Sequence, residues 1–211
     1  MNLRGRSLAQ TINIVMKTDA ETWQQISKEH LWVFDKLLLS VHCGYICGPA
    51  GVEVPQSDFY VVRPITNVLG MGRGASIEWI DKSTDHISPG YFWQQRFEGR
   101  HLSIDYCFGE QLFAVEGFHE NDQLFRFTEW RRVQEYILLP PCLKFLDCYY
   151  RLNVEYIGGN IIEVHFRSNP DFVDHTQQLI PVWDDQPIPT IDGYTFVEDR
   201  DYKRVGFMKP I

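Results

Sequence analysis

The alternation of apolar and polar side chains around residue 160 predicts a β-hairpin. Its strands are residues 152–157 (LNVEYI) and 161–167 (IIEVHFR), and residues 158–160 (GGN) form the turn. Because successive side chains of a strand point to opposite faces, the second strand divides into a polar set and an apolar set. The polar set consists of Glu163, His165 and Arg167. The apolar set consists of Ile162, Val164 and Phe166.

The length of this turn decides whether Glu155 faces Glu163. A three-residue turn places them opposite each other, whereas a two-residue Gly-Gly turn places them on opposite faces, and both lengths are common. Facing carboxylates, with Cβ atoms about 5 Å apart, repel each other unless a cation lies between them. Mg²⁺ suits such a pair, because it is usually held by one or two carboxylates and by substrate phosphates. The alternative is an amphipathic hairpin with a solvated polar face, and this stretch alone leaves both open.

Patterns elsewhere predict a β-rich chain with two helices. Helical spacing of apolar residues predicts a helix over residues 20–40, with Asp19 as its N-cap. Its core-facing stripe is Trp23, Ile26, His30, Val33, Phe34, Leu37 and Leu38. A second helix covers about residues 142–150, after two prolines. Alternation and turn residues predict further strands at residues 11–16, 59–64, 76–80 and 124–130, and two within residues 91–104.

A glycine-rich segment, residues 67–75 (NVLGMGRGA), joins two of these strands. Gly70, Gly72 and Gly74 make a flexible hairpin loop whose amides can approach an anion closely. The loop lacks the helix that follows a dinucleotide fingerprint, and it lacks the Gly-Lys-Ser/Thr of a P-loop. A mobile surface loop without a ligand is therefore the alternative.

Composition and charge narrow the class of protein. The chain has 211 residues and a formal net charge of −8, which argues against general binding to nucleic acids or anionic membranes. Its five cysteines form no paired CxxC pattern, so we expect reduced thiols rather than structural zinc. The first residues show no signal-peptide pattern, and no apolar run is long enough to cross a bilayer. We therefore expect a soluble, cytoplasmic protein.

Two segments carry a resemblance to a known family. The segment NVEYIGGNIIEVHFR is similar to the NVQF…IEVNPR pattern of the ATP-grasp superfamily, and VVRPITNVLGMGRGA is similar to an Arg-Pro-Ser strand with a glycine loop. Within this superfamily, the two segments resemble most the carbamoyl-phosphate synthetases and related carboxylate–amine ligases. The resemblance covers residues 59–170, about half of the chain.

The resemblance implies an α+β fold with flanking helices, in which nucleotide lies between two parts. A small β-rich lobe, about residues 59–87, would pack over a larger antiparallel sheet, about residues 88–170. Residues 1–58 would form an N-terminal strand and helix, residues 59–170 the nucleotide-binding core, and residues 171–211 an extended C-terminal tail over the body.

The resemblance also implies residue roles. Arg63 would contact the nucleotide phosphates, and residues 70–74, with Gly70, Gly72 and Gly74, would close over them as a flap. Residues 94–97 would be the hinge whose backbone meets the adenine edge; its named members are Gln94, Gln95 and Phe97. His101 stands where relatives commonly place a ribose-binding glutamate, and this change removes an acceptor.

For the reaction, the resemblance implies a metal site and a transfer site. Glu155, Glu163 and His165 would hold Mg²⁺, although histidine in place of the usual asparagine suits Mn²⁺ better. Arg167 would stabilise the transferred phosphate.

The implied activity is that of an ATP-dependent ligase that joins a carboxylate to an amine or thiol through an acyl phosphate. Its substrates would be small molecules or peptides. Only about 58 residues precede the resemblance, so either the N-terminal helix and the C-terminal tail would build the substrate site, or a partner protein or a second copy would complete it. The alternatives are a non-catalytic nucleotide-binding or protein-interaction module of the same fold, and an unrelated β-rich protein.

Overall fold

The structure, a computed structural model, describes residues 18–66, 72–119, 124, 126–172 and 176–211. Within these residues twelve strands form two antiparallel sheets. The predicted strand at residues 11–16 and the predicted flap residue Gly70 lie outside the described residues.

The smaller sheet has four strands in the order β1-β4-β2-β3. The strands are β1 (Cys47–Pro49), β2 (Asp58–Pro64), β3 (Ser76–Ile80) and β4 (Tyr91–Gln95). β2 and β3 agree with the sequence prediction. β4, by contrast, belongs to this sheet and not to the larger one, because it pairs with β2 along its whole length.

The larger sheet has eight strands in the order β11-β12-β10-β7-β6-β5-β8-β9. Five of them precede residue 170: β5 (His101–Cys107), β6 (Glu110–His119), β7 (Phe127–Val133), β8 (Leu152–Ile157) and β9 (Asn160–His165). The other three are β10 (Gln178–Trp183), β11 (Tyr194–Asp201) and β12 (Arg204–Pro210). The C-terminal residues therefore extend the sheet beyond β7, where the sequence predicts an extended tail over the body. The predicted fold class, α+β with a small β-rich lobe and a larger antiparallel sheet, is confirmed.

The predicted helix over residues 20–40 is wrong as a continuous element. The structure has α1 (Asp19–Thr22), α2 (Lys36–His42) and short 3₁₀ segments, Trp23–Gln25 and Lys28–Phe34, between them. The helix is interrupted at Asp35, whose backbone is extended and pairs with Thr66. The Asp35 side chain then caps α2 by accepting a hydrogen bond from Leu38 N. Thr18, not Asp19, is the N-cap of α1, in a capping box with Glu21.

The second predicted helix is also shorter than expected. Prolines begin it as predicted, but it is a 3₁₀ segment, Pro141–Leu146. No helix among the described residues is long and apolar enough to cross a bilayer.

The main core lies on one face of the larger sheet. Val33, Phe34 and Leu39 from the N-terminal segments pack there against apolar side chains of β5, β8 and β9, including Ile104 and Val154. Trp23 and Leu38 of the predicted stripe are exposed instead. On β5 and β8 the alternate positions are polar: His101, Ser103, Asp105, Asn153 and Glu155. Every one of them except Glu155 is buried, so this second face is covered as well.

Candidate functional site

A cavity of about 660 Å³ lies between the two sheets. The smaller sheet lines it with Val61, Arg63 and Ile77, and residues 96–99, which join the sheets, line it next to them. The larger sheet lines it with side chains of its polar face. Small-molecule sites usually measure about 300–1,000 Å³, so a nucleotide-sized ligand is within the capacity of this cavity.

The two predicted carboxylates, Glu155 on β8 and Glu163 on β9, face each other directly across the hairpin. The turn holds only two residues, 158–159, which by itself would separate them. A β-bulge next to Glu155 adds one residue to β9 and restores the facing register. The predicted pair is therefore confirmed, through the bulge and not through a three-residue turn. The extra residue, Ile162, lines the cavity, which corrects its predicted place on the core face.

These carboxylates converge with His165 in a group that could hold a metal ion. One ligand atom from each of the three residues lies within 4.8 Å of the other two. His165 Nε2 is 3.4 Å from Glu163 Oε2, while its Nδ1 is 2.9 Å from Asp19 Oδ2. A histidine that donates from one ring nitrogen to a carboxylate and turns the other towards a metal is a frequent arrangement. This donor set fits Mn²⁺ better than Mg²⁺, which prefers oxygen ligands.

Glu163 is surrounded by basic side chains. Lys36 Nζ lies 2.9 Å from Glu163 Oε1, and Arg63 Nη1 lies 3.8 Å from the same oxygen. Burial by itself would raise the pKa of Glu163, but Lys36, His165 and Arg63 together hold it well below its ordinary value. Glu163 is therefore an anion in the folded protein.

Arg63 reaches this carboxylate from β2 of the smaller sheet, and it links the two sheets. Its Nη2 donates to Gln94 Oε1 at 2.8 Å and to the Ile162 carbonyl at 3.0 Å. Burial lowers the pKa of Arg63, although Glu163 and Glu155 oppose this effect. No described residue accepts a hydrogen bond from its Nε.

Asp19, His165 and Arg167 form a second buried group beside the first. Arg167 Nη2 lies 3.4 Å from Asp19 Oδ2, the oxygen that also contacts His165. Burial would lower the pKa of His165, but the Asp19 carboxylate outweighs it and raises the pKa to about 9. The pKa of Asp19 is lowered, because His165 and Arg167 outweigh the effect of burial. Without a bound cation, His165 is thus an imidazolium between carboxylates.

His101, the predicted ribose-binding position, lines the cavity but contacts the metal group. Its Nε2 is 3.2 Å from Glu155 Oε2, and its Nδ1 is 3.1 Å from His119 Nε2. The ring also packs edge-on against Phe127 and Trp130. His101 is therefore placed to orient Glu155, and its role towards a ribose stays a prediction.

Two of the residues predicted for the hinge, Gln94 and Gln95, belong to a strand. β4 pairs Gln94 with Val61 and Gln95 with Tyr60, so the backbones of both glutamines belong to the sheet. The Gln94 side chain is buried and accepts hydrogen bonds from Arg63 and Ser40. Of the predicted segment only residues 96–97 lie beyond the strand and line the cavity; Phe97 packs edge-on against Tyr45.

The described part of the glycine loop lies at the cavity. Gly72 and Gly74 both have positive φ, 60° and 75°, a conformation that favours glycine, and Gly72 lines the cavity. Arg73 between them pairs with Asp201 of β11. The loop therefore reaches the C-terminal strands, a contact that the sequence does not indicate.

Sequence reasoning missed several residues of this site. Lys36 had no distinguishing pattern, because it lies within an apolar helical stretch, and Asp19 was assigned to capping. Asp105, Asn153 and Asn169 form a buried hydrogen-bonded group, in which Asn153 Nδ2 and Asn169 N donate to Asp105. The polar alternation of β5 and β8 could have indicated this group, since Asn153 and Glu155 share a face.

Several solved structures are similar to this chain, and two of them are described as ATP-grasp proteins. A protein from Archaeoglobus fulgidus that is assigned to the ATP-grasp superfamily matches with a TM-score of 0.46 and 15% identity, over 85% of this chain and 64% of its own. The ATP-grasp ligase PsnB, solved with a minimal precursor, matches with a TM-score of 0.40 and 11% identity, over 69% of this chain and 58% of its own. These two neighbours are ATP-grasp proteins.

Other neighbours are ligases as well. The D-alanine–D-alanine ligase from Bacillus anthracis matches with a TM-score of 0.39 and 18% identity, over 64% of this chain and 57% of its own. The chain spans less than two thirds of the length of each of these three structures. No protein-family model and no curated protein matches it. Because these similarities are low, a function for this chain can be argued only from the residues of its own site.

Proposed function

We propose that this chain is an ATP-grasp protein that binds ATP and a divalent cation in the cavity between its sheets, and that it acts as an ATP-dependent ligase. The observation that carries this proposal is the facing pair Glu155 and Glu163, which lines a nucleotide-sized cavity together with Arg63 and Arg167. The finer proposal is that the ligase joins a carboxylate to an amine or thiol.

The charges around the pair suit a triphosphate. Among the described residues, three fixed cations balance three carboxylates around the pair: Lys36, Arg63 and Arg167 against Asp19, Glu155 and Glu163. The side chains of Arg63 and Arg167 both line the cavity, and their buried Nε atoms have no acceptor among the described residues. A divalent cation held by the metal group would add the positive charge that a bound triphosphate requires.

The donor set described for the metal group would hold the cation. Glu155 and Glu163 would supply oxygens and His165 its Nε2, with Asp19 fixing the histidine ring. When bound, Mn²⁺ or Mg²⁺ would neutralise charge on the phosphates and help to position them.

The proposed reaction has two steps. A carboxylate oxygen of the substrate attacks the γ-phosphorus of ATP, the bond from that phosphorus to the bridging oxygen breaks, and ADP leaves with the electron pair. The amine nitrogen, neutral after losing one proton to solvent, then attacks the acyl carbon. The bond from that carbon to the phosphate oxygen breaks, and inorganic phosphate leaves and takes up the second amine proton.

In these steps the main role of the protein is to bind and position the reacting groups. Arg63 and Arg167 would hold the oxygens of the transferred phosphoryl group, where negative charges meet. The two sheets and the loop that carries Gly72 would exclude water, which otherwise hydrolyses an acyl phosphate. The carboxylate and amine would be small molecules or peptide groups, and a partner protein or a second copy could complete their site.

A non-catalytic nucleotide-binding or protein-interaction module is the second candidate, because one observation favours it. Glu163 already has Lys36 at 2.9 Å and Arg63 at 3.8 Å, so its charge is compensated without a metal. A carboxylate held in this way resembles a structural ion pair as much as a ligand.

Thermal denaturation with ATP and either Mg²⁺ or Mn²⁺ tests the proposed function. A ligand that binds only the folded protein raises its melting temperature. We expect a metal-dependent shift for the wild-type protein and its loss in Glu155→Gln. Glu155 is the better position to change, because its side chain is 24% exposed and Glu163 is bound by buried cations.

Glu116→Gln is the matched control. Glu116 lies on the same sheet, its side chain is 16% exposed, and it pairs with Arg100 outside the cavity. A shift that survives in both variants, or no shift in the wild-type protein, would overturn the metal–nucleotide site. A normal shift without ADP release across panels of carboxylates and amines would favour the non-catalytic module.

A further inference from the structure

The facing carboxylates differ in what each of their oxygens contacts. Glu163 Oε1 lies 2.9 Å from Lys36 Nζ, and Glu155 Oε2 lies 3.2 Å from His101 Nε2. The other oxygen of each carboxylate faces His165: Glu163 Oε2 is 3.4 Å and Glu155 Oε1 is 3.9 Å from His165 Nε2. The two oxygens that remain for a metal ion therefore lie on the same side, towards the histidine.

The Lys36 ammonium group is held at Glu163 by the fold. Lys36 begins α2 directly after the Asp35 cap, and its N–H donates to the Ile65 carbonyl at 2.8 Å. Its side chain is 7% exposed and lines the cavity. Arg63 adds a second cation, 3.8 Å from the same Glu163 oxygen. An exposed lysine could move away when a metal ion arrives, whereas moving this one would leave a buried carboxylate with less compensation, which costs free energy.

The number of metal ions that the pair can hold depends on these contacts. Two-metal sites place their ions about 3.5–4 Å apart, so both ions need oxygens of the same small group. A second ion at Glu163 Oε1 would have to share that oxygen with the Lys36 ammonium group, against a like-charge repulsion that is strong in a covered cavity. Among the described residues, the converging ligand atoms come from Glu155, Glu163 and His165, which is a donor set for one ion.

We propose that the site holds a single divalent ion and that Lys36 takes the place of a second one, as a resident cation on Glu163 Oε1. This inference rests on the cation-binding part of the proposed function and specifies the composition of the site. The ion would bind to Glu155 Oε1, Glu163 Oε2 and His165 Nε2. Lys36 is a positioning residue in this scheme, because it acts through Glu163.

The test counts the manganese ions that the full chain binds in the absence of nucleotide. Electron paramagnetic resonance reports free Mn²⁺, so a titration gives the number of bound ions and their dissociation constants. We expect one ion for the wild-type protein. Lys36→Met removes the resident charge, so we expect it to bind a second ion and to hold the first at least about tenfold more tightly. Two neighbouring Mn²⁺ ions also couple magnetically and broaden the spectrum, a signature that a mere loss of stability does not produce.

Three further variants assign the second ion to the position of Lys36. Lys36→Arg keeps the positive charge and should bind one ion. Lys36→Met combined with Glu163→Gln removes the oxygen that the second ion needs and should bind one ion at most. Lys82→Met is the control for net charge, since Lys82 pairs with Glu53 on the surface, and it should bind one ion with the dissociation constant of the wild-type protein.

The wild-type count decides first: two ions, or none, would overturn the inference. An equal count and equal dissociation constants for Lys36→Met and the wild-type protein would overturn it as well. Should Lys36→Met not fold, Lys36→Gln replaces it, and if neither folds the wild-type count and spectrum decide.

The melting shift with ATP and metal judges the proposed function separately. Two bound ions together with a normal shift would overturn this inference and leave the ligase standing. One bound ion without a nucleotide shift would support the inference and count against the ligase.

Discussion

Lys36 Nζ lies 2.9 Å from Glu163 Oε1, and both side chains are buried. Lys36 is the first residue of α2, whose start is fixed by the Asp35 cap and by the Lys36 N–H, which donates to the Ile65 carbonyl. Glu163 belongs to the facing carboxylate pair of the hairpin. The contact thus connects a short N-terminal helix to the centre of the candidate site, so the stability of the fold and the charge of the site depend on the same ion pair.

Lys36→Met should destabilise the protein by about 3 kcal/mol, because it leaves a buried carboxylate with less compensation. Replacing both partners, as in Lys36→Met with Glu163→Leu, should lose less than the sum of the single losses. Urea unfolding of the four proteins in this cycle measures both effects.

Lys82→Met is the control: Lys82 pairs with Glu53 on the surface, and its loss should change the unfolding free energy by less than about 1 kcal/mol. Equal losses for Lys36→Met and the control would contradict a buried ion pair.

Asp105 should make stability fall as pH rises between about 4 and 6. Burial raises the pKa of Asp105 to about 6 from the ordinary 3.8, despite hydrogen bonds from Asn169 and Asn153. In this window the folded protein therefore binds more protons than the unfolded chain, and stability declines as the proton is lost. The difference corresponds to about 3 kcal/mol. In Asp105→Asn this contribution is absent.

The measurement is the unfolding free energy of the wild-type protein minus that of Asp105→Asn, as a function of pH. We expect this difference to decrease from pH 4 to pH 7 and to level off outside the window. Asp192→Asn, which removes an exposed carboxylate, is the control and should run parallel to the wild-type protein. A pH-independent difference for Asp105→Asn would show that Asp105 titrates normally.

Gly158→Ala should be far more disruptive than Gly159→Ala, although both glycines have positive φ. A Cβ at Gly158 would lie 2.0 Å from the Glu98 carbonyl oxygen, in the segment that joins the two sheets, whereas one at Gly159 would meet nothing within 4 Å. Gly159→Ala should lose about 1 kcal/mol from the left-handed conformation alone. Gly158→Ala adds a backbone clash, so we expect a larger loss of stability together with weaker nucleotide binding. Similar melting temperatures for the two variants would rule out the close crossing.

The β-hairpin pattern shows what the sequence could predict. Alternation along residues 152–167 located both strands and the carboxylates, because the period of two is a local property of the chain. For the two-residue turn that the structure has, turn length alone would have placed Glu155 and Glu163 on opposite faces. The bulge that restores their facing register depends on how the whole sheet pairs, so the sequence could not predict it. Outside the hairpin, β2, β3 and β4 of the smaller sheet were predicted for the same local reason, whereas β1 was not.

Contacts between distant segments were not predictable. No local sequence pattern connects Lys36 with Glu163 or Asp19 with His165. The apolar spacing over residues 20–40 predicted one continuous helix, which tertiary contacts break into shorter segments. At residue 171 and beyond, weak periodicity in the sequence concealed three strands. For β11 the reason is that it lies at the sheet edge with most of its residues exposed and shows little burial pattern.

His165→Asn should shift the metal preference of the site from Mn²⁺ towards Mg²⁺. An imidazole nitrogen suits Mn²⁺ and softer ions, whereas an amide oxygen is a ligand that Mg²⁺ accepts. The measurement is the ratio of the ATP-induced melting shifts with the two metals.

His101→Asn is the matched control, because His101 also contacts Glu155 but does not belong to the converging ligand group. The ratio for this variant should stay that of the wild-type protein. If both variants change the ratio equally, the effect passes through Glu155, and His165 is no metal ligand. If neither changes it, the ion is held by the carboxylates alone, and the histidine serves the Asp19–Arg167 group instead.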